Sequence, residues 1–180
     1  MTPYRTVMKL HFYLLFLVVS ILSEVKICEQ DFDVAKEYDD IRKLASQSGA
    51  IVFFVGLVRD LYALNENARE QNRRIEYIEL THYAGMTESL CQKIINEAHE
   101  LYSLDAIRVI HRVGKIYASE QIVMVAVASS HREQAFKACQ FIMDYLKTRA
   151  TLWKKEVGEL GENWVGLKEK DQTAASRWSK

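Results

Sequence analysis

Residues 129–156 read SSHREQAFKACQFIMDYLKTRATLWKKE, and the rest of the chain is organised around them. Ser130 and Glu133 match an S-x-x-E capping box, in which the serine accepts from the first helical turn and the glutamate reaches back. Ala135, Phe136, Cys139, Ile142, Met143 and Leu146 then recur at spacings of one, three and four. That spacing predicts a helix with these six on its core face. His131 and Arg132 stand at its start, and Lys147, Arg149, Lys154 and Lys155 at its end or just beyond. From 131 to 155 six Lys and Arg stand against two carboxylates, a local excess of four in a chain of zero formal net charge. A cationic cluster in a balanced chain points to a small anion; a nucleic-acid coat would raise the charge of the whole domain.

The segments before this stretch alternate between strands and helices. Residues 121–128 (QIVMVAVA) predict a buried strand that delivers the chain to Ser129. Residues 106–113 alternate as a strand, and Gly114-Lys115 reads as a turn. Residues 85–102 carry Met86, Leu90, Ile94, Ile95, Ala98, Leu101 and Tyr102 at helical spacing. Residues 75–83 predict a strand of imperfect alternation, and residues 60–74 a polar loop. Residues 50–58 (AIVFFVGLV) predict another buried strand, with Gly56 marking a bulge or a close backbone approach. A long loop between two strands suggests that 50–58 and 75–83 pair antiparallel. Asp31 to Asp33 supply a start for a helix with Val34, Tyr38, Ile41, Leu44 and Ala45 on one side; residues 25–28 suggest a short strand. Beyond Glu156, Gly158, Gly161 and Gly166 mark turns around Trp164, and a weak helix covers 168–178. The order gives an α+β class, not a doubly wound parallel sheet.

A chain of 180 residues, 49% hydrophobic and 27% charged, builds one domain without metals or disulfides. Cys28, Cys91 and Cys139 form no C-x-x-C, and Cys91 and Cys139 fall at apolar helical positions, so buried reduced thiols are expected. The five histidines cluster neither with each other nor with cysteine, so no metal site is expected. Arg5 and Lys9 precede an apolar run at 11–22, shorter than the roughly 20 residues of a spanning helix but shaped like a signal-peptide core. A secretory signal, a membrane-proximal anchor and an upstream extension all fit that run.

No G-x-S-x-G elbow, P-loop or G-x-G-x-x-G occurs. What remains is the cationic set Arg59, His131, Arg132, Lys147 and Lys154. Arg59 emerges from the end of an apolar strand, where a charge either faces a pocket or ends the strand in solvent. His131 and Arg132 open a helix, where free N–H groups and the dipole favour an anion. Lys147 lies one turn after Met143, on the border of the apolar face; a lysine partly desolvated there serves as a proton donor or acceptor. The competing reading is a solvated helix end with scattered basic residues.

Four motifs together carry a resemblance. FIMDYLKTRA followed by LWKKE, SSHR before it, VGLVRD at Gly56–Asp60 and THYAGMTE at Thr81–Glu88 resemble the large, catalytic subunits of molybdopterin synthase. The resemblance covers about residues 25–178. It implies an α+β fold of the hammerhead type, with an antiparallel sheet and flanking helices. It implies conversion of cyclic pyranopterin monophosphate to molybdopterin, in molybdenum cofactor biosynthesis. The sulfur would come from the thiocarboxylated C-terminus of a small ubiquitin-like subunit, so no cofactor of the chain's own is implied. Two large subunits would form the centre of a heterotetramer.

Residue by residue, the resemblance assigns catalysis to Lys147 and Lys154. It assigns substrate contacts to Leu57, Val58, Arg59, His131, Arg132, Lys147, Lys154, Lys155 and Glu156. Arg59, His131 and Arg132 are expected to hold the phosphate and pterin while Lys147 handles protons near the thiocarboxylate. The chain departs from the family at Leu57, often lysine, and at Ala150-Thr151-Leu152, often Ala-Pro-Phe. Such enzymes work in the cytosol, without nucleic-acid or stable membrane association. Residues 1–23 are then an extension outside the fold, and 24–180 the catalytic domain. The alternative is a non-enzymatic adaptor that binds a ubiquitin-like protein through the same groove.

Overall fold

The computed structural model describes residues 22–59, 75–159 and 161–178. The expected extension, apart from its last two residues, and the expected loop at 60–74 lie outside the described residues. In chain order the elements are β1 (Ser23–Cys28), α1 (Val34–Leu44), β2 (Ala50–Leu57), β3 (Ile75–His82), α2 (Met86–Leu101) and β4 (Ala106–Arg112). There follow β5 (Gly114–Tyr117), β6 (Gln121–Ser129), α3 (Arg132–Arg149), β7 (Leu152–Gly158), β8 (Gly161–Val165) and α4 (Glu169–Ser176).

Two four-stranded sheets result, ordered β1-β4-β6-β2 and β5-β3-β7-β8. Every pairing is antiparallel except β1 with β4. β6 is central because both of its faces are apolar. Val123, Val125 and Val127 face α2 and α3, while Met124, Ala126 and Ala128 pack with Ile41 of α1 on the other side. Alternating side chains on a pleated strand place these two sets on opposite faces. Asp33 caps α1, accepting from the N–H groups of Ala35 and Lys36 at 2.9 and 3.1 Å. Beneath α1, Arg108 of β4 pairs with Glu37 and Glu24. β1 starts earlier than expected: Ser23 is buried, pairs with Ile107, and its hydroxyl lies 2.8 Å from His99 Nε2.

The α+β class holds, with four local differences and one expected irregularity, in β3. β2 is an edge strand, with Phe54 and Leu57 exposed, and it belongs to a different sheet from β3. Its composition announces a strand but not the strand's place in a sheet. Gly114 is no turn; it takes φ +77° and opens β5. β3 alternates imperfectly because its pairing slips between Ile75 and Tyr77, which brings Ile75, Ile78 and Leu80 to one buried face. Ser130 caps nothing in α3, whose N-cap is His131. Glu133 pairs with Lys137 one turn on, and Ser129 Oγ takes the His131 N–H at 3.3 Å. On α3 itself Phe136 is 61% exposed, while Ala138, Phe141 and Tyr145 join the core. Phe141 stacks edge-on against Tyr145 and Trp178, so the helix buries two adjoining faces instead of one.

Candidate functional site

A cavity of about 710 Å³ opens between the two sheets and the last turn of α3. Three chain segments bring functional side chains to it. The first is the end of β2. The pairing with β6 slips between Gly56 and Leu57, as expected from the glycine, and a Cβ on Gly56 would stand 2.8 Å from Val123 Cγ1. After the slip, Val58 is pinned from both sides. Its N–H donates to the Glu120 carbonyl at 2.9 Å, and its carbonyl accepts from Ser119 N–H at 2.7 Å. Leu57, Val58 and Arg59 all line the cavity.

The second segment is the α3–β7 junction. The helix ends at Arg149 and the strand begins at Leu152, with no proline between them. Thr151 anchors this turn: its hydroxyl lies 3.0 Å from that of buried Thr87, which also reaches the Thr151 carbonyl at 3.2 Å. Lys147 in the last helical turn and Lys154 on β7 therefore both reach the cavity. Strand alternation puts Lys154 and Glu156 on the same face, with Nζ 2.5 Å from Oε1. Lys155 points the other way, to Glu79 at 2.8 Å and Glu162 at 3.1 Å, and these carboxylates hold its ammonium above the usual lysine range. It does not line the cavity.

The third segment was not legible as part of the site. Lys168, the N-cap of α4, lines the cavity with Lys170 and Asp171. Asp171 Oδ1 stands 3.7 Å from Lys147 Nζ. Burial pushes the Lys168 ammonium down, and the charges of Lys154, Lys170 and Arg59 add to that against the opposing pull of Glu156. These residues share one electrostatic neighbourhood. Among the described residues, Arg59, Lys147, Lys154, Lys168 and Lys170 face only Glu156 and Asp171 on the wall. No periodicity marks Lys168; its helix is short and weakly amphipathic.

His131 and Arg132 are not in this cavity. They begin α3, while Lys147 sits in its last turn, about 24 Å further along the axis. One chain thus gathers Leu57, Val58, Arg59, Lys147, Lys154 and Glu156, and leaves His131, Arg132 and Lys155 outside. His111, which sequence reasoning passed over, lies on the wall. The period-2 pattern of β4, with Ile107 and Val109 in the core, is the signal that places it on this face.

No cysteine lines the cavity. Cys91 and Cys139 are buried, and burial pushes both thiols up to about 11. Among the described residues no His, Cys, Asp and Glu group is arranged to hold a metal ion, and no helix is long and apolar enough to cross a membrane. The chemistry available is anion binding by five cations, and proton transfer by lysines poised against carboxylates.

A family model described as "MoaE protein" matches residues 27–149. The chain is 45% identical over 154 residues to a molybdopterin synthase catalytic subunit of Vibrio cholerae, covering 86% of this chain and 97% of that one. Among solved structures it is similar to a molybdopterin biosynthesis MoaE protein from Burkholderia ambifaria, with TM-score 0.72, 40% identity, and 88% and 99% of the two chains covered. The fold also matches a complex of subunits 1 and 2 of molybdopterin-converting factor from Helicobacter pylori, with TM-score 0.61, 19% identity, and 78% and 89% covered.

Proposed function

The chain belongs to the MoaE protein family and serves as a molybdopterin synthase catalytic subunit; we propose that its cavity binds cyclic pyranopterin monophosphate and receives sulfur from a thiocarboxylated small subunit. The carrying observation is the cavity wall, which supplies cations and proton-transfer groups from three chain segments but no cysteine. Arg59 and Lys168 hold the phosphate. Lys147 and Lys154 exchange protons with the pterin as its ring opens and sulfur adds. Asp171 and Glu156 keep the two ammonium groups in place before substrate arrives. The small subunit's C-terminal tail lies extended along the opening, where Gly56 permits close backbone approach.

The separation of His131 and Arg132 from Lys147 supports a homodimer of large subunits in which each α3 start completes the neighbouring cavity. The exposed Phe136, one turn along from Arg132, gives that contact an apolar anchor. A small subunit at each end then makes a heterotetramer, working in the cytosol, where free thiols persist.

Mixing the protein with a thiocarboxylated small subunit and cyclic pyranopterin monophosphate tests this reading. A dithiolene product, detected by mass, is expected. A tight complex that yields none would identify an adaptor instead.

A further inference from the structure

Among the described residues, His111 and Lys170 are the titratable groups on the cavity wall that this chemistry leaves unused, and of the two only His111 is buried. It is 9% exposed, near the end of β4. Its Nδ1 stands 2.8 Å from the Arg112 carbonyl oxygen. A carbonyl only accepts, so Nδ1 carries a proton. Burial pushes the ring down to about 4, with nearby His82 adding to this and the Arg112 carbonyl opposing it. At neutral pH the ring therefore holds that single proton, and Nε2 is a bare acceptor. Among the described residues Nε2 has no hydrogen-bond partner, and no fully occluded side-chain polar atom is orphaned. Nε2 is thus not fully occluded, and His111 lines the cavity.

The rest of the wall sharpens what this atom can recognise. Among the described residues, the other strong side-chain acceptors there are the carboxylates of Glu156 and Asp171, both held by lysines. Every other charged group is Arg or Lys, which only donate. Ile78, Leu80 and Leu146, each at most 5% exposed, make the buried part of the wall apolar, while Lys147 is 55% exposed at the mouth. A ligand with its anion at the mouth extends its other end toward a single neutral acceptor in an apolar floor.

We propose that His111 Nε2 accepts a hydrogen bond from a ring N–H of the bound pterin and so fixes which edge of the heterocycle enters the floor. This rests on the functional reading above and adds a specificity-determining contact to it. A pterin isostere with an acceptor at that point would meet Nε2 lone pair to lone pair.

His111→Phe keeps a ring but removes the acceptor, and His111→Gln restores one. In the assembled enzyme with its small subunit, His111→Phe is expected to raise KM for the cyclic pterin about tenfold, the loss of one buried hydrogen bond, with kcat within about twofold. His111→Gln should recover most of the affinity. In the wild type, the ¹⁵N resonance of His111 Nε2 should move when the pterin is added. An unchanged KM in His111→Phe overturns the inference. If that variant does not fold, an Nε2 resonance indifferent to the pterin overturns it equally. A wild type that neither binds nor converts the pterin sinks the functional reading itself and takes this contact with it.

Discussion

His131 and Lys147 stand at opposite ends of one helix, about 24 Å apart along its axis, although both belong to the anion site expected from the sequence. An 18-residue helix packed against β6, β2, α2 and α4 does not fold back on itself. Their chemistry meets only if a second copy brings its own α3 start to this cavity. Two inactive variants then complement each other. Arg132→Ala and Lys147→Ala, mixed and allowed to exchange subunits, place both defects in one site of each mixed dimer and leave its other site native. About a quarter of wild-type activity should return, since half of the dimers are mixed. Mixed samples as inactive as their parents would place the whole site within one chain.

Lys147 is half exposed, and its ion pair with Asp171 spans 3.7 Å, so it contributes well under about 1 kcal/mol to stability. Lys147→Ala should therefore melt within about 2 °C of the wild type. It should still bind the small subunit, yet lose at least about 100-fold in kcat, the scale of a missing proton-transfer group. Lys147→Arg keeps the charge but not the proton chemistry, and should retain KM while losing kcat. Wild-type turnover in either variant would remove Lys147 from the mechanism.

Lys168 reaches the cavity from a different segment and shares its field with Lys154 and Arg59. On the proposed function, its removal deletes a charge-assisted contact to the substrate phosphate. Lys168→Ala should raise KM about tenfold with a smaller effect on kcat, and Lys168→Arg should restore most of the loss. Steady-state kinetics over a range of pterin concentrations separates the two parameters. Equal KM values in wild type and Lys168→Ala would leave the phosphate to the remaining cations.

Local pattern reached some of these residues and stopped short of others. β6 and α3 were legible because their apolar spacing is strong and both lie at the centre of the packing. Lys147 was legible by position, one turn beyond Met143. Lys154 and Glu156 share a face only because the chain switches from helix to strand at Thr151, and the anchor for that switch is Thr87, 64 residues earlier. No window of sequence contains both. The edge position of β2 and the assignment of β3 to a second sheet are likewise long-range facts. The capping box failed for a local reason: Ser130 and Glu133 have the right spacing, but Lys137 claims the glutamate and the helix starts one residue later. His111 sat in plain view on an alternating strand, yet its significance depends on a cavity that only tertiary packing creates.

The same ring makes stability depend on pH. Burial holds the His111 pKa at about 4 in the folded protein, against about 6.5 for an ordinary histidine. Between these values the unfolded ring carries a second proton that the folded ring refuses. Unfolding then takes up protons, so stability is full above about pH 6.5 and falls as the pH drops towards 4, by at most about 3 kcal/mol from this group. His99, also pushed down by burial, acts in the same direction and accounts for part of any slope. His111→Gln removes the larger contribution. Urea midpoints measured at about pH 7.5 and pH 5 should fall further for the wild type than for His111→Gln, because the difference between the two slopes isolates the His111 ring. Parallel slopes would mean that the ring is protonated in the folded state, and that Nε2 is a donor at acid pH.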